Sequence, residues 1–243
     1  MGGIHIGTSG WSYSSWKNVF YPNGLKGGDY LSFYSGVFES TEINGSFYRL
    51  PTKKTVENWV NAVPDDFRFC VKMSRFLTQI KRLKEPEEPI ERFFDVFAAM
   101  QRKMGPVLIQ LPPSLKFDYD LAEYFYQLLK DKYSSNSFAL EGRHETWLSE
   151  DSLNLMAKYD VAFVISNSGG FFPYKEAVTA KNIYIRFHGP EEKFKSRYDD
   201  ETLNYYADLI KVWLKENHDV WAFFNNTYYQ DAIENASKLK SLL

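Results

Sequence analysis

Short apolar segments recur along this chain, and each one ends abruptly in a charged or amide residue. The segment Val-Leu-Ile-Gln at 107–110 is one example, and Phe-Ala-Leu-Glu at 138–141 is another. A turn and a stretch with helical periodicity follow, which is the order of a repeated βα unit. The candidate strands lie at 4–8, 38–43, 68–73, 107–111, 137–142, 161–166, 183–188 and 220–225. This pattern predicts an α/β fold, a single (β/α)₈ TIM barrel.

The length of the chain agrees with one barrel domain over residues 1–243, since such barrels typically have roughly 250 residues. No linker rich in proline, glycine or serine divides the chain. A long irregular loop at 11–28 follows the first strand and is rich in aromatic residues. This loop is expected either to stack on a sugar ring or base, or to pack as a hydrophobic lid on the barrel mouth.

Composition excludes several broad classes. The net charge of −2 gives no overall electrostatic signal for nucleic acid or an anionic membrane. Apolar runs fall short of the roughly 18 residues of a membrane span, and the start of the chain lacks the pattern of a signal peptide. The single cysteine, Cys70, excludes a disulfide within the chain and is expected in the core. We therefore expect a cytoplasmic protein with no membrane partner.

Polar residues at the strand ends point to a site, because the carboxyl ends of barrel strands carry the active sites of such folds. Residues two positions apart on a strand share a face, so Glu141 and Arg143 should project together, as should Arg186 and His188. The predicted ring at this rim consists of Glu42, Lys72, Gln110, Glu141, Arg143, Asn167, Arg186, His188 and Asn225.

Chemical roles follow from residue type. The predicted catalytic residues are Glu42, Lys72, Glu141 and His188. The two carboxylates are suited to acid–base work if their pKa values differ. Lys72 is suited to act as an amine nucleophile if desolvated, although neighbouring glutamates would keep its charge. The predicted substrate-binding residues are Trp11, Tyr13, Asn44, Gln110, Arg143, His144, Arg186, Asn225 and Asn226.

Two other accounts of the ring remain open. In the first account, the charges pair with one another in a closed network that seals the top of the barrel. Burying each charge costs several kcal/mol before pairing, which counts against this account. A divalent metal held by glutamate and histidine is possible but not favoured, because cations nearby would oppose it. The sequence requires no cofactor, and the identity of any cofactor is unknown.

Ordered motifs across residues 7–226 resemble the YecE-like family, also called domain of unknown function 72. The blocks that carry the resemblance are Gly7-Thr8-Ser9-Gly10-Trp11, Glu42-Ile43-Asn44, Phe47-Tyr48-Arg49-Leu50-Pro51, Gln110-Leu111-Pro112-Pro113, Glu141-Gly142-Arg143-His144, Arg186-Phe187-His188-Gly189 and Phe224-Asn225-Asn226. The resemblance implies a TIM barrel and no established reaction. Gln79 and Asn167 stand where the family often has histidine and aspartate, which weakens any metal or acid–base scheme that needs those groups.

We favour an enzyme of hydrolase, isomerase or lyase type, acting on a small, polar, anionic substrate at the barrel rim, with the reaction class undetermined. One alternative is a nucleic-acid-processing or nucleic-acid-binding protein, suggested by the aromatic loop and the basic stretches 81–84 and 193–197. Nucleic acid is possible as a partner but not favoured, because charge runs are usually solvated faces. The other alternative is a ligand-binding barrel without catalysis. The oligomeric state is not determined by the sequence.

Overall fold

The computed structural model of the chain describes residues 2–243, and in this range eight parallel strands form one sheet. The strands are β1 (Ile4–Ser9), β2 (Ser40–Ile43), β3 (Arg68–Val71), β4 (Val107–Gln110), β5 (Phe138–Glu141), β6 (Val161–Asn167), β7 (Asn182–Phe187) and β8 (Asp219–Phe224). Their order across the sheet is β3-β2-β1-β8-β7-β6-β5-β4. Each strand overlaps one of the predicted segments.

Isolated bridges bring the two edge strands, β3 and β4, together. Phe69 pairs with Met104, and Lys72 pairs with Leu108. The amide of Met73 donates to the carbonyl oxygen of Leu108 at 2.8 Å. The sheet therefore curls into a nearly closed barrel, and the predicted (β/α)₈ fold is confirmed.

Helices lie between successive strands along the chain, except between β6 and β7, which the loop at 168–181 joins. They are α1 (Tyr30–Ser35), α2 (Gly45–Tyr48), α3 (Lys53–Asn61), α4 (Glu87–Val96), α5 (Tyr119–Lys132), α6 (Glu150–Lys158), α7 (Asp200–Lys215) and α8 (Asp231–Ser241). Shorter 3₁₀ turns lie at Ser14–Trp16, Gly27–Asp29, Ala98–Lys103 and Glu145–Leu148, and a π-helical turn lies at Phe76–Ile80. Asp118 and Ser149 cap α5 and α6 by accepting amide hydrogen bonds, as their positions before apolar stretches predict. Among residues 2–243, no helix has both the length and the apolar character needed to cross a bilayer.

Two apolar layers surround the strands. The outer layer lies between the sheet and the helices. The inner layer fills the barrel and consists of Cys70, Leu108, Ala139, Ala162, Val164, Tyr184, Trp221 and Phe223. Cys70 is completely buried there, and burial raises the pKa of its thiol, in agreement with its predicted place in the core. Above this filling, at the carboxyl ends of the strands, the charged side chains of β2, β5 and β7 meet.

Candidate functional site

Arg186 lies at the centre of the rim, between the two predicted carboxylates. Its Nε donates to Glu42 Oε2 at 2.9 Å and its Nη2 to Glu42 Oε1 at 2.6 Å, a bidentate contact. Its Nη1 donates to Glu141 Oε2 at 2.7 Å. All three side chains are almost completely buried. Side chains from the ends of β2, β5 and β7 therefore meet inside the rim, as strand alternation predicts.

Further donors surround both carboxylates. Glu42 accepts from the hydroxyls of Ser9 at 2.7 Å and Tyr184 at 2.8 Å. Burial by itself would raise the pKa of Glu42, but Arg186 outweighs burial, and the pKa lies below its usual value. Glu42 is therefore an anion, and both of its carboxylate oxygens already accept hydrogen bonds.

Glu141 is held in the same way on the opposite side of the central arginine. Its Oε1 forms a salt bridge with Arg143 Nη2 at 2.9 Å and accepts from the Ser166 hydroxyl at 2.8 Å. Burial acts to raise the pKa of Glu141, yet Arg143 and Arg186 together hold it well below the usual range. Neither carboxylate is in a state to donate a proton near neutral pH.

His188 lies below the rim and does not line the open space above it. Its Nε2 lies 3.0 Å from Glu141 Oε1, and its Nδ1 lies 3.1 Å from the amide nitrogen of Asn225. These partners assign the neutral form, with Nε2–H donating to the carboxylate and Nδ1 accepting. Burial, followed by the charge of Arg186, lowers the pKa of His188 to about 4.

Lys72 differs from the other charged groups because its partner is neutral. Its Nζ donates to Gln110 Oε1 at 2.9 Å and lies 4.1 Å from the centre of the Phe47 ring. Within residues 2–243, no carboxylate oxygen lies within 4.0 Å of this nitrogen. Burial, then the charge of Arg186, lowers the pKa of Lys72 to about 7. Glu42 and Glu141 do not contact Lys72 directly, because the arginines hold both carboxylates.

Arg143 links the ion pairs to the open side of the rim. Its Nη2 also lies 3.3 Å from Gln110 Oε1, and its guanidinium carbon lies 3.2 Å from the centre of the Phe172 ring. Its Nε is buried and has no hydrogen-bond partner in the described part of the chain. An unpaired buried donor on a charged group costs free energy.

A cavity of about 990 Å³ opens above these groups. Lys72, Arg143 and Arg186 contribute positive charge to its lining. The aromatic part of its lining consists of Tyr13, Phe47, Tyr48, Phe172, Phe194, Tyr228 and Tyr229. The cavity is therefore cationic at its base and apolar along its walls, and the buried carboxylates do not line it.

Most of the residues predicted to bind substrate line this cavity. They are Tyr13, Asn44, Gln110, Arg143, Arg186 and Asn225. Three others lie elsewhere. Trp11 packs edge-on against Trp59, with ring centres 5.5 Å apart. His144 accepts the amide of Thr146 at the start of a 3₁₀ turn, and Asn226 is buried with its amide donating to the Ser196 carbonyl.

Two positions that depart from the family pattern lie outside the cavity lining. Gln79 donates to the backbone oxygen of Gln110 at 2.8 Å and so supports the end of β4. Asn167, predicted in the ring, points away from the barrel axis, where it bonds the hydroxyls of Tyr198 and Tyr206. Ser166 takes the inward position because the alternation of β6 places its side chain inside. Asn167 therefore leaves the ring.

Sequence reasoning missed most of the aromatic wall. Phe47 lies in α2 directly after β2, and Phe172 and Tyr228 lie in the loops after β6 and β8, so their position after strands was the available signal. The sequence predicted aromatic contacts from the loop at 11–28 instead. In the structure its Trp16 is completely buried and donates to the Tyr229 carbonyl at 2.8 Å. That loop mainly packs on the barrel, and Tyr13 is its aromatic contribution to the cavity.

Metal-ligating side chains are not clustered in the part of the chain that the structure describes. No group of three or more histidine, cysteine, aspartate or glutamate side chains in residues 2–243 is arranged to hold an ion. The base of the cavity instead presents cationic nitrogens.

Comparison with known proteins gives a consistent result. The family described as "Protein of unknown function DUF72" matches residues 5–243. UPF0759 protein YunF of Bacillus subtilis is 26% identical over 270 residues, covering 99% of this chain and 94% of that protein. UPF0759 protein YecE of Escherichia coli K12 is 24% identical, covering 88% of this chain and 80% of that protein.

Solved structures extend the likeness to the whole fold. A DUF72 family protein of Thermotoga maritima has a TM-score of 0.87 at 28% identity, covering 99% of this chain and 98% of the other. A DUF72 family protein of Enterococcus faecalis has a TM-score of 0.84 at 21% identity, covering 99% of this chain and 95% of the other. The chain described here therefore belongs to the DUF72 family.

Proposed function

We propose that this protein is an enzyme that acts on a small organic anion bound in the barrel cavity, with Lys72 as the reacting group. The observation that carries the proposal is the charge balance of the rim. Glu42 and Glu141 neutralise Arg186 and Arg143 through direct contacts. Protonated Lys72 therefore adds a positive charge that the contacts described above do not neutralise, and a bound anion would supply the missing negative charge.

The dimensions and lining of the cavity support a small molecule as the ligand. Its volume of about 990 Å³ lies at the upper end of ligand pockets. Apolar walls with a few polar groups at one end are typical of such sites. Arg143 lines the cavity, and its guanidinium is suited to a charge-assisted hydrogen bond with a carboxylate or phosphate.

Asn44 and Asn225 add polar groups to the cavity lining. A side-chain amide such as that of Asn44 can both donate to and accept from a substrate hydroxyl or amine. The amide of Asn225 contacts His188 and thereby orients it. Substrate orientation would therefore come from the ends of β2 and β8 as well as from Arg143.

The roles predicted for the remaining ring residues change under this proposal. Glu42, Glu141 and His188 act as positioning residues. Their polar atoms already form hydrogen bonds within the rim, and these residues do not line the cavity. Lys72 transfers the proton or attacks the substrate. Isomerase or lyase chemistry fits better than hydrolysis, since no carboxylate among residues 2–243 lines the cavity to activate water.

A thermal-shift titration with acetate, oxalate, pyruvate and inorganic phosphate, each against chloride at equal ionic strength, tests the proposal. At least one of these anions should raise Tm in a saturable manner. Arg143→Gln should abolish the shift, whereas Arg82→Gln, at a partly exposed arginine that bonds Ser114, should preserve it. A shift that is absent for all four anions, or unchanged in Arg143→Gln, would refute the proposal.

A further inference from the structure

We infer that Lys72 is an amine nucleophile and that it forms an imine with a 2-oxo carboxylate, a compound whose carbonyl carbon is bonded directly to a carboxylate. The inference rests on the proposed function, because it takes the cavity to bind a small organic anion. It adds the class of substrate and the covalent step.

The surroundings of the Lys72 nitrogen are those of a nucleophile and not of a structural cation. Its hydrogen bond goes to an amide oxygen, and the Phe47 ring covers it at 4.1 Å. A lysine becomes nucleophilic when it is desolvated beside other cations. Both conditions hold here, since the side chain is 8% exposed and shares the cavity base with Arg143 and Arg186. The lowered pKa, about 7, leaves much of the amine neutral near physiological pH.

The distance between the amine and the anion-binding arginine selects the substrate. Lys72 Nζ and Arg143 Nη2 contact the same oxygen of Gln110, at 2.9 and 3.3 Å. The two nitrogens therefore cannot lie further apart than the sum of these distances. An amine that attacks at about 3 Å can then reach only a carbonyl close to the bound anionic group. A 2-oxo carboxylate meets this condition, whereas a phosphate ester several bonds from its carbonyl does not.

The covalent step balances without a cofactor. The lone pair of the neutral Lys72 amine forms a bond to the carbonyl carbon as the carbonyl π bond breaks, and the nitrogen passes one proton to the oxygen through solvent, which gives a neutral carbinolamine. One proton from solvent then lets that oxygen leave as water while the nitrogen lone pair forms the second C–N bond, and the product is a protonated imine. The substrate carboxylate on Arg143 then balances the new positive charge. The imine withdraws electrons from the neighbouring carbon, which activates it for the loss of a proton or of a carbon group.

Borohydride reduction with pyruvate as the probe tests the inference, since hydride converts an imine into a stable secondary amine. One pyruvate-derived adduct should form per chain, and peptide mapping should place it on Lys72. Lys103 is equally buried, but its Nζ donates to the Val60 and Val63 carbonyl oxygens, so it serves as an internal control that should remain unlabelled. Lys72→Met should abolish the adduct and keep the wild-type circular dichroism spectrum.

A second probe separates the amine from the anion site. Propanal, which lacks a carboxylate, should still label Lys72 in Arg143→Gln. Labelling by pyruvate should fall by about tenfold or more in that variant, through loss of a charge-assisted hydrogen bond. If pyruvate raises Tm through Arg143 but borohydride leaves Lys72 unlabelled, the imine is refuted and the proposed function stands. Labelling of exposed lysines to the same extent as Lys72 would also refute the imine.

Discussion

Replacing Lys72 with methionine should change how the free energy of unfolding depends on pH. Below about pH 7 the lysine is protonated in both the folded and the unfolded state, and the folded state bears the full cost of a buried charge. At higher pH the folded state releases its proton first, because burial and Arg186 lower the folded pKa from 10.5 to about 7. The unfolded state then binds more protons, so Lys72 makes stability rise with pH.

The expected size follows from the pKa difference. One pKa unit corresponds to about 1.4 kcal/mol, so the complete effect, reached above the unfolded pKa, is about 5 kcal/mol. Between about pH 7 and pH 9 the wild type should gain about 2 kcal/mol relative to Lys72→Met. The side chain is 8% exposed, so solvent screens this effect little.

Urea unfolding of the wild type and Lys72→Met at both pH values measures this difference directly. Lys215→Met is the matched control, since that lysine is exposed at the end of α7 and its solvation changes little on unfolding. The control should follow the wild-type pH dependence. If Lys72→Met follows it as well, the folded protein does not desolvate Lys72, and the reasoning on its charge fails.

Three further outcomes are expected. Glu42→Gln should lower the free energy of unfolding by about 3–5 kcal/mol, because it leaves Arg186 buried with half of its ion pairs. Gly142→Ala should destabilise the protein by about 1–3 kcal/mol, since the new Cβ would lie 2.4 Å from the Trp147 Cβ. Nitrogen NMR should find His188 neutral at about pH 6, with the proton on Nε2, because burial lowers its pKa to about 4.

The two substitutions have matched controls. Glu123→Gln removes an exposed carboxylate that pairs with Lys158, and it should leave unfolding in urea nearly unchanged. Gly45→Ala adds a Cβ into open space, so it should not share the cost of Gly142→Ala. A protonated His188 at about pH 6 would contradict the assignment of a neutral imidazole in the rim.

Local pattern was sufficient to predict the barrel and much of the rim. A period of two along each strand determines which side chains share a face, so Glu42, Glu141 and Arg186 were placed together correctly. The same rule failed for Asn167, because the register of β6 directs Ser166 inward instead. An error of one residue in phase is enough to reverse the direction of a side chain.

The pairing of carboxylates with cations within the rim could not be predicted from the sequence pattern. Which carboxylate contacts which cation depends on distances across the barrel, and no spacing in the chain encodes those distances. In the structure both glutamates pair with arginines, and Lys72 donates a hydrogen bond to the neutral Gln110 instead. The cavity walls were missed for a related reason, since Phe172 and Tyr228 come together only when separate loops meet above the barrel.

The seam between β3 and β4 has a mechanical consequence for ligand binding. Lys72 follows β3 and Gln110 ends β4, so their side-chain contact crosses the junction that isolated bridges hold together. A ligand that contacts both residues would therefore connect the two edge strands across this junction. Ligand binding should then stabilise the closed barrel, and hydrogen exchange at the Met73 amide, which bonds Leu108 across the junction, should become slower.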